Sequence, residues 1–150
     1  MVKYCFARKE EIPTDACGNC GRCMHLFSEY FFCLVVGSRT FDDYSLMERK
    51  LDRLLSMQDG KVVIVSGGAK GADSLAERYA REKGYMMTVF RADWSKGKSA
   101  GYTRNVKMHE FISHADRRGC VAFWKDGSKG TAHNFELAEK YGNQLRKIIC

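Results

Sequence analysis

Proline occurs once in the 150 residues, at Pro13. No stretch approaches the ~20 consecutive apolar residues that a membrane-spanning helix needs. The first five residues, Met1-Val2-Lys3-Tyr4-Cys5, lead into no apolar segment of the kind a secretory signal carries. A cytoplasmic protein with no membrane partner is therefore expected. The chain lacks a phosphate loop ending in Gly-Lys-Ser/Thr and lacks a G-x-G-x-x-G fingerprint, which disfavours ATP hydrolysis and NAD-dependent dehydrogenation. It has no internal repeat and no low-complexity segment. Clustered charge is missing too. The net charge is +7, yet basic residues stand beside acids, as in Glu48-Arg49-Lys50 and Glu77-Arg78. That pattern reads as a solvated surface, with attraction to a phosphorylated ligand or nucleic acid as the alternative.

What is present fits one globular domain. Apolar residues make up 45% and charged residues 29%. At this length a sizeable core can be buried. Residues 1–30 read as a cysteine-rich segment without clear periodicity, and 31–150 as the main domain. From Phe31 a regular rhythm begins. Phe31–Val36, Val62–Val65, Met86–Phe90, Cys120–Trp124 and Leu145–Ile149 read as strands. Between them, 43–57, 72–83, 101–114 and 131–141 read as helices, with Gly84 and Gly142 as stops. This alternation predicts an α/β fold, a Rossmann-like three-layer sandwich on a mainly parallel five-stranded sheet. In such sheets ligands bind beyond the C-terminal strand ends, at the switch point.

Three glycine-punctuated runs fall at those ends: Gly37-Ser38-Arg39, Gly67-Gly68-Ala69-Lys70-Gly71-Ala72-Asp73 and Asp126-Gly127-Ser128-Lys129-Gly130-Thr131. Each opens onto a helix. The expectation is bare backbone N–H groups at helix starts, suited to a phosphate. The alternative is tight turns that merely pack. Arg39 is a candidate phosphate partner or a surface arginine. Asp73 caps a helix or holds a ribose hydroxyl. Asp93 and Trp94 follow the third strand, and Trp94 stacks on a base or packs. Arg104 and Asn105 sit early in the third helix of the rhythm, and Arg104 reads as a phosphate or substrate ligand. His133 reads as a surface residue, and Trp124 as core or pocket wall.

These three runs, with Gly101-Tyr102-Thr103-Arg104-Asn105, resemble the SLOG superfamily and its YspA/YpsA-related branch, found in bacteria and phages. The resemblance covers about residues 33–150. It implies binding of a nucleotide or nucleotide-derived ligand, such as an ADP-ribose-like molecule or a nucleoside monophosphate. The superfamily also contains a single-stranded-DNA-binding DNA-processing protein, so a nucleic-acid partner is the alternative. It contains the Lonely Guy phosphoribohydrolases too, which makes N-glycosidic hydrolysis a further alternative. Related domains often dimerise. The hydrolase pattern puts a glutamate where this chain has Asn134, and an amide cannot replace that carboxylate. Arg104 and Glu136 remain as catalytic candidates, with Glu136 about 200° round the helix from Asn134. The implied ligand-binding set is Gly37, Ser38, Arg39, Gly67, Gly68, Gly71, Asp73, Arg104, Asn105, Gly127, Ser128, Lys129, Gly130 and Thr131.

Five of the seven cysteines lie in the first 33 residues. Cys17-Gly-Asn-Cys20-Gly-Arg-Cys23 is a knuckle that suits structural zinc, with Cys5 as the fourth ligand and Cys33 or His25 as substitutes. Reduced structural thiols without metal are the alternative.

Overall fold

The computed structural model describes residues 2–13, 22–125 and 127–150, with side chains over 4–10, 25–125 and 127–150. The elements in chain order are β1 (Val2–Cys5), β2 (Glu10–Pro13), α1 (Arg22–Glu29), β3 (Phe31–Gly37), α2 (Tyr44–Leu55), β4 (Val62–Ser66) and α3 (Ala72–Lys83). They continue with β5 (Met86–Val89), α4 (Ala100–Ser113), β6 (Arg117–Trp124), α5 (Lys129–Tyr141) and β7 (Gln144–Ile149). Short 3-10 turns at Ser56–Gln58 and Trp94–Lys96 extend α2 and precede α4.

β3 to β7 form a five-stranded sheet in the order β5-β4-β3-β6-β7, parallel throughout. The chain winds outward from β3 in one direction, then returns to start β6 on its other side. The switch point therefore lies between the ends of β3 and β6. This is the Rossmann-like arrangement the rhythm predicts.

The strands form where apolar runs can be covered on both faces. All of Val62–Ser66 is buried. Side chains alternate across the sheet. Phe32, Leu34 and Val36 of β3 pack with Met108, Phe111 and Ile112 of α4 on one face. Cys33 and Val35 pack with Met47, Leu51 and Leu55 of α2 and with Ala76, Tyr79 and Ala80 of α3 on the other. The 4-residue spacing of Met47, Leu51 and Leu55 keeps them on one helical stripe. Asp43 starts α2 by accepting from Leu46 N–H at 3.0 Å. Gly84 and Gly142 end α3 and α5 as expected.

The first 30 residues differ from their expectation. They hold the antiparallel hairpin β1–β2 and the eight-residue α1. Tyr4, Phe6, Leu26 and Phe27 join the same apolar cluster as Phe32 and Phe111. Lys9, in the hairpin turn, donates to Val89 O at 2.9 Å and lies 4.5 Å over the Phe90 ring. Burial lowers its pKa. The hairpin thus straps the exposed edge of the sheet at β5.

Cys17 and Cys20 lie outside the described residues, as does the side chain of Cys23. The two substitute ligands are engaged elsewhere. Cys33 is sealed into the cluster beneath α2 and α3, and burial pushes its thiol up to about 12. His25 Nδ1 pairs with Glu29 at 2.9 Å. Among the described residues no three His, Cys, Asp or Glu side chains converge on a metal position. No described helix is long and apolar enough to cross a membrane.

Candidate functional site

The ends of β3, β4 and β6 open onto a cleft of about 460 Å³, within the range of small-molecule sites. Its wall includes Gly37, Ser38 and Arg39 after β3, Ala69 and Asp73 around the start of α3, and Lys125, Ser128, Gly130 and Thr131 after β6. Arg104, Asn105 and Met108 of α4 and Asn134 of α5 form its floor. A second cleft of about 550 Å³ adjoins it, lined by Gly67, Gly68, Lys70 and Arg91, and shares Arg39, Ala69, Trp94 and Arg104 with the first. The three glycine runs therefore do converge.

Several of their N–H groups are already paired within the chain. Gly68 N–H donates to Ser66 Oγ at 3.2 Å, and Ala69 N–H to Asp73 at 3.1 Å. Ala72 N–H, at the start of α3, is taken by Ser38 O at 3.2 Å. Ser38 is likewise consumed. Its N–H reaches Phe123 O at 3.1 Å, and its buried hydroxyl exchanges hydrogen bonds with Lys125 N–H and C=O at 2.8 and 2.5 Å. Ser128 caps α5 by accepting from Thr131 N–H at 3.4 Å and Thr131 Oγ1 at 3.2 Å.

The glycines make these ties possible. Gly71 has φ +76°, and a Cβ there would lie 2.4 Å from Ser38 O and 2.5 Å from Arg39 O. A Cβ on Gly37 would meet Ala72 Cβ at 2.5 Å and Phe123 O at 2.6 Å. Both positions let α3 start hard against the end of β3.

Charge in the cleft is one-sided. Arg39, Lys98, Arg104 and Lys125 face a single acid, Asp73, among the described lining residues. Arg104 donates to Gly67 O at 2.5 Å and to Asn105 Oδ1 at 3.0 Å. Burial lowers its pKa, with Asp73 opposing. Burial pushes the Asp73 carboxyl up to about 6, against the pull of Ala69 N–H and of Arg104.

Two aromatic residues stand at the rim, Trp94 at 53% and Tyr102 at 45% exposure. The Arg39 guanidinium lies 5.5 Å from the Trp94 ring centroid. Gly101 gives Trp94 room to lie across the start of α4. Asp93 caps the turn beneath, accepting from Ser95 N–H at 3.2 Å.

Several expected residues fall elsewhere. Glu136 is exposed on α5, away from the cleft, because it lies on the opposite side of the helix from the buried Asn134. Gly127 and Lys129 are exposed and outside the lining. Asp126 is outside the described residues. Trp124 donates to Ser128 O at 3.1 Å and packs edge-on against Phe135, which makes it a support for the third loop. His133 Nδ1 lies 3.3 Å from Asn105 Nδ2. Sequence reasoning missed Lys98, Tyr102 and Lys125. The last two adjoin or belong to runs already singled out, whereas Lys98 sits in a polar stretch without a distinguishing pattern.

Residues 33–97 match the model of the YspA, cpYpsA-related SLOG family. The Gene 61 protein of Mycobacterium phage D29 is 37% identical over 115 residues, which span 73% of this chain and 89% of that protein. The chain belongs to the YspA, cpYpsA-related SLOG family. The span matching the SLOG model holds the first two glycine runs and ends before Arg104.

Two solved structures share the SLOG fold seen here. DNA processing protein A (DprA) from Streptococcus pneumoniae has a TM-score of 0.56 at 18% identity, over 83% of this chain and 52% of that one. DNA processing protein A from Helicobacter pylori, described for its single-stranded DNA binding mode, has a TM-score of 0.57 at 21% identity, over 83% and 67%. The SLOG chain thus spans about half of the first protein and about two thirds of the second. At these identities the likeness is one of fold.

Proposed function

We propose that the cleft binds a nucleotide-type ligand and does not turn it over. The observation that carries this reading is the one-sided lining: four cations and one acid in a cavity of about 460 Å³, with Trp94 exposed at its mouth. Phosphate oxygens suit Arg39 and Arg104. A base suits the face of Trp94, where stacking contributes ~1–3 kcal/mol. Asp73, ionised at neutral pH, suits a ribose hydroxyl. Binding without hydrolysis follows from Asn134, an amide at the position where the hydrolase pattern carries a glutamate. Glu136 faces solvent and does not replace it.

A second reading, single-stranded nucleic acid, is favoured by the exposed Trp94 and Tyr102 on an open, basic cleft. The Helicobacter pylori protein of like fold is described by its single-stranded DNA binding.

One titration series separates the two. AMP and ADP-ribose are followed by calorimetry, and a short oligodeoxythymidine by fluorescence anisotropy across a salt range. The expected result is mononucleotide binding that the double substitution Arg39→Ala, Arg104→Ala weakens at least tenfold, with no free base released from AMP. Oligonucleotide binding that falls steeply with salt, beside no mononucleotide binding, would favour the second reading. Full AMP affinity in the double variant would mean that the ligand sits elsewhere.

A further inference from the structure

Behind the cleft floor a chain of buried polar groups runs from the N-terminal end of β6 to the first turn of α5. Arg118 Nε donates to Asn143 Oδ1 at 2.6 Å. This identifies the other end of that amide as the donor. Asn143 Nδ2 then gives its two hydrogens to His109 Nδ1 at 3.0 Å and His109 O at 3.2 Å. His109 is completely buried, and burial pushes its pKa down to about 4, so the ring is neutral. A neutral ring whose Nδ1 accepts must carry its proton on Nε2. That Nε2–H points at Asn134 Oδ1, 3.1 Å away. The Asn134 amide is thereby oriented, with Nδ2 donating to Gly130 O at 3.1 Å.

Asn105 repeats the arrangement from α4. Its Oδ1 accepts from Arg104 Nε at 3.0 Å, and its Nδ2 lies 3.5 Å from the same Gly130 O and 3.3 Å from His133 Nδ1. Both asparagines are over nine-tenths buried, and both line the cleft. Their carbonyl ends are held by donors within the protein. Asn134 Nδ2 keeps one hydrogen for a ligand, whereas both hydrogens of Asn105 Nδ2 are already taken.

We infer that His109, held through Asn143 by Arg118, is a positioning residue that keeps the Asn134 N–H toward the cleft, and that this N–H, beside the internally paired Asn105, forms a subsite for a phosphate oxygen. The inference rests on the nucleotide reading of the cleft and deepens it. The subsite takes an acceptor and rejects a group that can only donate. It also gives Asn134 a role of its own. A carboxylate there would accept from His109 equally well, yet would face Gly130 O and the ligand phosphate with negative charge.

The relay is tested in the free protein by nitrogen-15 NMR of the imidazoles. His109 is expected as the neutral Nε2–H tautomer from pH 5 to pH 8, and an Nδ1–H tautomer would overturn the inference. The subsite is tested with AMP, inorganic phosphate and adenosine. Asn134→Asp keeps the shape and reverses the polarity. It should weaken AMP and phosphate at least tenfold and leave adenosine within about twofold. Equal AMP affinity in wild type and N134D overturns the subsite while leaving the nucleotide reading intact. A larger loss for adenosine than for phosphate would place the base at Asn134 and overturn the phosphate assignment. Asn143→Asp, outside the cleft lining, should move the His109 proton to Nδ1 and lower AMP affinity. A moved proton with unchanged affinity removes the positioning role. If N143D fails to fold, Asn134→Ala removes the donor without adding charge, and unchanged AMP affinity there overturns the subsite. Wild-type protein that takes neither AMP, ADP-ribose nor phosphate overturns the reading of the cleft, and the subsite with it.

Discussion

Asp73 lies buried in the first turn of α3, with its carboxyl raised from an ordinary 3.8 to about 6 by loss of water. The folded chain therefore holds this proton more tightly than the unfolded chain does. Its contribution favours folding most below pH 3.8 and fades as pH rises to about 6. Above that, the ionised carboxylate costs the fold up to ~3 kcal/mol. Asp73→Asn should accordingly raise the unfolding free energy at pH 7.5, with the gain closing below pH 4. Urea titrations at several pH values check this, and a gain that grows in acid would contradict it. A costly charge in a cleft marks a candidate site. That mark was hidden in the sequence, where an aspartate after Gly71 looks like an ordinary helix-start residue. Asn105 and Asn134 were singled out in the sequence, but His109 and Asn143 were hidden for a similar reason. They are polar, so the apolar rhythm passes over them, and only the packing of α4 against α5 joins them.

Among the elements, the five strands and the four later helices were legible. Val62–Val65 has no competing reading, and Asp43 and Gly84 mark helix ends by known local chemistry. The hairpin and α1 were not legible. Four-residue strands give no usable alternation, and among its described side chains α1 places Leu26 and Phe27 in the core, side by side instead of at helical spacing. The glycine loops were legible as places, but not the internal pairing within them, by which Ser66 and Asp73 take the Gly68 and Ala69 N–H groups. Gly71 serves packing. Gly71→Ala forces a Cβ to within 2.4 Å of Ser38 O at φ +76°. It should cost at least ~2 kcal/mol in chemical denaturation. A loss below half that would mean the loops after β3 and β4 can part without penalty.

At the scale of the whole molecule, the N-terminal elements belong to the common core. Phe27 stacks on Phe32 at 5.1 Å between ring centroids and meets Phe111 at 5.6 Å. Phe27→Ala should therefore destabilise the entire chain by ~3–5 kcal/mol in a single unfolding transition. A separate early transition would mean instead that the hairpin and α1 unfold on their own. Ser38 has a wider consequence as well. Through its N–H, carbonyl and hydroxyl it joins the ends of β3, β6 and α3 at one point, directly under the cleft mouth. Three elements pinned there fix that side of the mouth. On the proposed reading, a ligand would meet this fixed wall beside the exposed Trp94 and Tyr102 rings. Exposed side chains of that kind reorient in picoseconds to nanoseconds. On that reading the rings would adjust to an arriving ligand faster than diffusion delivers one to the opening.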